Sequence, residues 1–266
     1  MAHTIAIVNQ KGGVGKTTTS INLAAALASQ GMRVLLVDMD PQGNASTGLG
    51  LMRGERGSTI YEVLVDRTPA SEAIVASSVP NLSILPSHID LASAELEIGT
   101  VAGRTARLQA ALAEVSDDYD YILLDCPPSL NILTVNALVA AASVLVPLQC
   151  EFFALEGLSQ LLKTVEMAKA QLNPDLYIEG VMLTMYDRRN RLSGQVAADV
   201  RKHLGRAVFN AQIPRNVRIA EAPSFGKPVI EYDPQCAGTK AYLALAREIL
   251  KRHELRKKRQ SNQEVA

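Results

Sequence analysis

The stretch Gln10-Lys11-Gly12-Gly13-Val14-Gly15-Lys16-Thr17-Thr18 decides how this chain is read. It follows an apolar run, Ile5-Ala6-Ile7-Val8, and precedes a helical pattern that starts near Thr18. A strand, a glycine-rich turn and a helix in that order let backbone N–H groups close around phosphate oxygens. The helix N-terminus adds partial positive charge. In such a loop Lys16 reaches the terminal phosphates and the Thr17 hydroxyl sits on Mg²⁺. The usual spacing, G-x-x-x-x-G-K, asks for glycine at position 10. Here that position is Gln10, and an additional lysine, Lys11, opens the loop. In an ordinary loop Lys11 would be a solvated surface charge. At the entrance of a phosphate loop it can instead cross to a nucleotide held by a second subunit and stabilise transition-state charge in trans.

The rest of the composition limits what surrounds this loop. A chain of 266 residues is long enough for one large α/β domain with its own core. Hydrophobic residues make up 47%, which points to a folded protein rather than a disordered one. Trp is absent and aromatics are 4%, so the core must be aliphatic. Net charge is zero, which excludes a global attraction to nucleic acid but leaves room for a local basic patch. Cys126, Cys150 and Cys236 are far apart and odd in number, as in a reduced cytosolic protein rather than a disulfide framework. The first strand follows the N-terminus so closely that no signal peptide is expected. No apolar run approaches the roughly 18 residues of a membrane span.

Outward from the loop, strand-like and helix-like segments alternate. Val34-Leu35-Leu36-Val37, Tyr121-Ile122-Leu123-Leu124 and Val144-Leu145-Val146 are continuous apolar runs of the kind that suit parallel strands covered on both faces. Leu82–Leu85 and Ile178–Leu183 add further strands, and Val208-Phe209 and Val229-Ile230 are expected as short strands at the sheet's end. Helical spacing appears around 59–65, 69–75, 89–98, 104–115 and 132–142. It appears again at Leu155, Leu158, Leu162 and Val165, along Val196 to Leu204, and from Tyr242 to Leu250. The segment from Gln42 to Gly57 is rich in Gly, Asn, Ser and Thr and reads as a partly mobile loop. The expectation is a single-domain α/β fold, a mainly parallel twisted sheet with helices on both faces. The domain would run over 1–253. Residues 254–266 would form a basic, flexible tail, because Lys251 to Arg259 hold six Lys/Arg against Glu254 alone.

Three acidic residues follow buried strands. Asp125 ends an all-apolar strand, where a carboxylate is costly without a cation or hydrogen bonds, so it is a candidate Mg²⁺ partner. Asp38 and Asp40 both follow the second strand. One can be structural and the other can orient the attacking water, which is what phosphoryl transfer chiefly needs. The residues alone leave the two assignments open. Basic residues gather later in the chain: Arg188, Arg189 and Arg191, then Arg201 and Lys202, then Arg215, Arg218 and Lys227. Singly each is a solvated charge. Together on one face, and doubled by a dimer, they would bind nucleic-acid backbone without reading bases.

Lys11-Gly12-Gly13-Val14-Gly15-Lys16-Thr17-Thr18 resembles the deviant Walker A motif of the ParA/MinD ATPase superfamily. Val37-Asp38-Met39-Asp40-Pro41-Gln42-Gly43-Asn44 and Leu124-Asp125-Cys126-Pro127-Pro128-Ser129 resemble its two switch segments. Ile213-Pro214-Arg215-Asn216-Val217-Arg218 and Glu221-Ala222-Pro223-Ser224-Phe225-Gly226-Lys227-Pro228 are similar to the ParA/Soj partitioning branch, and the resemblance covers about 3–250. It implies a P-loop fold that takes ATP and Mg²⁺, with residues 11–18 around the nucleotide and Pro214 and Asn216 near the adenine. Thr17 and Asp125 would serve the metal, and Lys11, Lys16 and Asp40 would serve hydrolysis. It implies an ATP-dependent homodimer that binds double-stranded DNA non-specifically through Arg189, Arg218 and Lys227. Release would follow hydrolysis stimulated by a ParB-type protein, in a cytoplasmic, nucleoid-associated setting without membrane.

Three rival readings share the loop. A MinD-like division ATPase needs a C-terminal amphipathic membrane helix, yet Lys251 to Ala266 offer only Leu255 and Val265 as bulky apolar residues. A nitrogenase-iron-protein-like reductase needs cluster cysteines, and neither Cys126 nor Cys150 stands in that context. A metabolic ligase or amidase needs a dedicated substrate pocket that no motif here marks.

Overall fold

A computed structural model describes residues 1–264. Eight strands form one sheet: β1 His3–Ile7, β2 Val34–Asp38, β3 Val75–Ala76, β4 Leu82–Leu85, β5 Tyr121–Asp125, β6 Ser143–Gln149, β7 Tyr177–Tyr186 and β8 Val208–Pro214. Their order is β3-β4-β2-β5-β1-β6-β7-β8, and every pairing is parallel except β3 with β4. β1 lies between β5 and β6, where the chain changes the side on which it adds strands. In open α/β sheets ligands bind at such a crossover, outside the carboxyl ends of the strands. The glycine-rich loop leaves the carboxyl end of β1.

Period-two alternation splits the strand residues between two cores. Ala6, Leu35, Val37, Ile122, Leu124, Val144 and Val146 point to one face, covered by helices that include Ile132–Ala140, Ala154–Gln171 and Arg191–Leu204. Ile5, Ile7, Val34, Leu36, Leu123 and Leu145 point to the other, covered by Lys16–Ala28 and Ala237–Glu264. Phe209 is the largest fully buried side chain, and the rest of that group is aliphatic, as the composition requires.

Three local expectations are corrected. Val229-Ile230 is not a strand but part of a helical turn, Val229–Tyr232. Its first N–H donates to Asn22 Oδ1 at 2.7 Å instead of joining the sheet. The helix expected over 69–75 stops at Ala73, and Val75–Ala76 pairs antiparallel with β4 as an edge strand. The segment Gln42 to Gly57 is organised. It contains a helix, Asn44–Gly48, and a 3₁₀ turn, Arg53–Glu55. The helix that carries the Tyr242–Leu250 stripe runs on to Glu264, and 265–266 lie outside the described residues. Its sheet-facing side continues from Tyr242, Leu245 and Ile249 through His253 to Arg256, which lies 3.4 Å from the centre of the Tyr177 ring. That face turns from apolar to polar while keeping helical spacing, which hides it from a search for apolar residues.

Candidate functional site

The loop is shaped by two glycines in the left-handed region, Gly13 (φ 73°) and Gly15 (φ 90°). A side chain at either position would strain the turn. Gly15 is the N-cap of the helix Lys16–Ala28, so the first free N–H groups of that helix open towards the loop. Neighbouring strands hold the loop in place. Thr184 Oγ1, on β7, donates to Val14 O at 2.8 Å, and Asn9 Nδ2 donates to Pro147 O at 2.7 Å. Asn9 Oδ1 in turn accepts the Lys11 N–H at 3.0 Å.

The two lysines are placed in opposite ways. Lys16 is 7% exposed, and its Nζ donates to Lys11 O at 3.1 Å across the mouth of the loop. Burial holds its pKa below the ordinary lysine value, and the nearby Asp125 carboxylate partly offsets this. The Lys11 side chain is half exposed. Its ammonium pairs with Glu151, just beyond the end of β6.

Asp125 and Asp38 end β5 and β2 and are partners in register. Both are fully buried. Asp38 Oδ2 accepts the Ser46 N–H at 2.8 Å and the Ser46 hydroxyl at 2.7 Å, which fastens the helix Asn44–Gly48 to the sheet. Asp125 Oδ1 accepts the Ser20 hydroxyl at 2.7 Å, while Oδ2 is buried and accepts no hydrogen bond from the described residues. Burial, and then the charge of Asp38, raise the pKa of Asp125. The hydroxyls of Ser20 and Thr17 pull it back down. Burial also raises that of Asp38, and the hydrogen bonds from Ser46 counter it. A buried carboxylate oxygen without a partner is a hard-oxygen donor, and together with the Thr17 hydroxyl it would suit Mg²⁺.

Asp40 is half buried and sits where β2 gives way to the loop. Its Oδ1 accepts the Gln42 N–H at 3.0 Å. Arg56 braces the same loop from outside. Its guanidinium donates to Ser87 O at 2.7 Å, to Thr47 Oγ1 at 2.7 Å and to Gly43 O at 3.1 Å. The far end of the loop meets the turn Ala222–Phe225 backbone to backbone, and a Cβ on Gly226 would stand 2.7 Å from Gly50 Cα.

Known proteins are similar to this chain in sequence and in overall fold. A family model described as an AAA domain matches residues 2–178. The chain is 59% identical over 250 residues to the chromosome partitioning protein ParA of Caulobacter vibrioides, covering 93% of this chain and 94% of that protein. It is 54% identical to the sporulation initiation inhibitor protein Soj of Bacillus subtilis, covering 94% of this chain and 98% of that protein. The chain belongs to the ParA/Soj family of chromosome-partitioning ATPases. Among solved structures it superposes on cobyrinic acid a,c-diamide synthase from Mycobacterium smegmatis with bound ADP and magnesium. The TM-score is 0.85 at 38% identity, with 96% of each chain covered. That similarity supports the P-loop fold. The higher identity to ParA and Soj decides the branch, against the metabolic rival.

The remaining ParA/Soj-type expectations concern the far edge of the sheet. Pro214 ends β8, and Asn216 caps the helix Val217–Glu221, its side chain accepting the Arg218 N–H at 2.8 Å. Tyr186 and Pro214 are register partners, so Arg188 and Arg189 leave the same end of the sheet as Arg215 and Arg218. Two of the three expected DNA-contact residues already have acidic partners. Arg189 pairs with Asp187 at 3.2 Å, and Arg218 pairs with Glu221 at 3.1 Å and Asp233 at 3.4 Å. Lys227 is exposed, next to Gly226. Arg201, expected in the basic patch, instead spends one guanidinium nitrogen on Phe209 O at 3.1 Å.

Sequence reasoning missed Ser20, Ser46, Arg56, Thr184 and Glu151. Ser20 carried a usable signal, since it lies one helical turn beyond Lys16 on the same face. Ser46 and Arg56 lie within the segment read as a partly mobile loop, and Thr184 and Glu151 reach the site from 170 and 140 residues away; none of the four carried a signal. Cys126 is buried beside Asp125, and burial pushes its thiol well above the ordinary range, so it is unreactive. No cysteine joins the one cluster of metal-type ligands found among the described residues.

Proposed function

We propose that this ATPase closes two copies face to face around ATP and Mg²⁺, and that the closed dimer binds double-stranded DNA without sequence preference. In this reading a ParB-type protein stimulates hydrolysis, the dimer opens, and DNA is released. The protein then acts in the cytoplasm on the nucleoid. The observation that carries the reading is the opposite placement of the two lysines. Lys16 is buried inside its own loop, whereas Lys11 projects from the rim and is held only by a surface carboxylate. A lysine in the second position is free to serve a neighbour's phosphates.

Backbone N–H groups of residues 12–18 and the Lys16 ammonium orient the β- and γ-phosphates. Thr17 Oγ1 and Asp125 would hold Mg²⁺, which supplies charge neutralisation between the phosphate oxygens. Asp40, at the start of the braced loop, holds the attacking water in line. Lys11 of the second copy stabilises the charge that develops on the transferred group. Pro214 and Asn216 line the base end of the nucleotide. Arg189, Arg218 and Lys227 supply phosphate contacts to DNA, and dimerisation doubles them. Among the described residues no helix is long and apolar enough to cross a membrane.

The test is co-sedimentation of the pure protein with DNA in ADP, ATP or a slowly hydrolysed ATP analogue, with lipid vesicles as a parallel arm. ATP-dependent DNA binding without vesicle binding is expected. Vesicle binding alone would replace this reading with the MinD-like one.

A further inference from the structure

At the opposite end of β1 from the nucleotide loop, three segments remote in sequence meet. His3 is the first residue of β1, Glu179 lies near the start of β7, and His253 is on the C-terminal helix. We propose that His3 Nε2, Glu179 Oε2 and His253 Nε2 form a binding site for a zinc-class divalent ion.

One ligand atom from each of the three residues lies within 4.8 Å of those of the other two. The His253 and Glu179 atoms are 2.9 Å apart, and the His3 and Glu179 atoms 3.7 Å apart. A tetrahedral ion with bonds of about 2.0–2.1 Å sets its ligands about 3.3 Å apart, so these spacings bracket the required edge. Two imidazoles and one carboxylate make a set that favours zinc and its borderline neighbours over Mg²⁺ or Ca²⁺, which take oxygen ligands. The carboxylate of Glu179 is almost entirely buried, with 1% of its side chain exposed. A carboxylate is seldom retained there without strong partners.

An outer layer of partners is also present. Tyr121 Oη lies 2.8 Å from His253 Nδ1, the nitrogen left over if Nε2 ligates, where it orients the ring and can accept the Nδ1–H that ligation through Nε2 requires. The Tyr177 hydroxyl donates to Glu179 Oε2 at 3.1 Å. Ser143 Oγ, 3.1 Å from His3 Nε2, stands where a water in a fourth position would find a hydrogen bond. The nearest guanidiniums are engaged elsewhere. Arg252 donates to Glu179 O at 3.1 Å, and Arg256 lies over the Tyr177 ring. His3, Tyr177 and His253 also line an open cleft of about 760 Å³, which gives an ion a way in. An ion held here would pin the C-terminal helix to β1 and β7 at once, far from the ATP chemistry.

The experiment is calorimetric titration of the untagged chain with Zn²⁺ in excess Mg²⁺ and ADP, which occupy the nucleotide site. Co²⁺ absorption is the second readout. One Zn²⁺ per chain is expected, with tetrahedral-type Co²⁺ bands. Glu179→Gln and His253→Gln should each weaken binding by more than about 100-fold, and Tyr121→Phe, which keeps all three ligands, by about tenfold. His3→Gln, at the most exposed of the three positions, gives a reading even if a buried variant fails to fold. No stoichiometric binding by the parent chain, or parent-like binding by His3→Gln together with His253→Gln, would overturn the site. ATP-dependent DNA binding is scored separately and does not depend on this outcome.

Discussion

Asp38 and Asp125 stand side by side at the carboxyl ends of β2 and β5, in register and fully buried, and only Asp38 has both oxygens engaged. Both carboxyls are held above their ordinary range, chiefly by burial, and Asp125 additionally by its neighbour's charge. The folded protein therefore keeps protons that the unfolded chain has released, and its stability falls as pH rises through the raised values. A cation at Asp125 reverses the preference. Mg²⁺–nucleotide binding should expel a proton and tighten with pH, read as a buffer-dependent heat in titration calorimetry. Asp125→Asn should abolish that heat and stabilise the nucleotide-free protein at pH 8 by about 1–3 kcal/mol. A heat identical in all buffers would remove Asp125 from the metal site.

Lys11 must leave Glu151 to reach a second subunit. An exposed ion pair of this kind is worth about 1 kcal/mol or less. Glu151→Gln should accordingly favour the ATP dimer by no more than about fivefold. Lys11→Ala should retain nucleotide binding yet lose the dimer altogether. Analytical ultracentrifugation with the slowly hydrolysed analogue separates the two, and a Lys11→Ala dimer of parental stability would refute action in trans.

Asp40 is spared the structural duty that Asp38 performs for the helix Asn44–Gly48. Asp40→Ala should leave folding intact and cut ATP turnover by roughly 100-fold or more. The protein should then stay on DNA once ATP is added. Normal turnover by this variant would return the water-positioning role to another group.

The acidic partners of Arg189 and Arg218 make their DNA contributions conditional. Lys227→Ala should reduce the slope of log affinity against log salt by about 0.9 for each phosphate the lysine had neutralised. Arg189→Ala should do less, because that guanidinium must first be taken from Asp187. Asp187→Asn should tighten DNA binding by releasing Arg189. Filter binding across a salt series checks all three, and an unchanged slope in Lys227→Ala would remove that residue from the interface.

Much of this molecule was legible because the relevant signals are local. The runs 5–7, 34–37, 121–124 and 144–146 lie in strands with apolar neighbours on both faces. Lys16, Thr17 and Asp125 sit beside strand ends that the sequence announces. What escaped depends on distance along the chain. Glu151 and Lys11 are 140 residues apart, and Thr184 and Val14 are 170 apart. The turn at Val229 looked like a strand because its residues are β-branched, and the bond from Asn22 that draws it into a helix is invisible locally. The packed face of the final helix beyond Leu250 was not legible because it changes from hydrocarbon to imidazole and guanidinium.

The contact between Gly50 and Gly226 joins the loop that follows β2 to the turn that leads into Lys227. It is made of main chain on both sides, so neither partner can be exchanged for a bulkier or smaller side chain to alter it. The two segments therefore have to be exchanged together. A chimera that imports either from a relative without the matching glycine brings a collision, whereas one that imports both carries the linkage over intact.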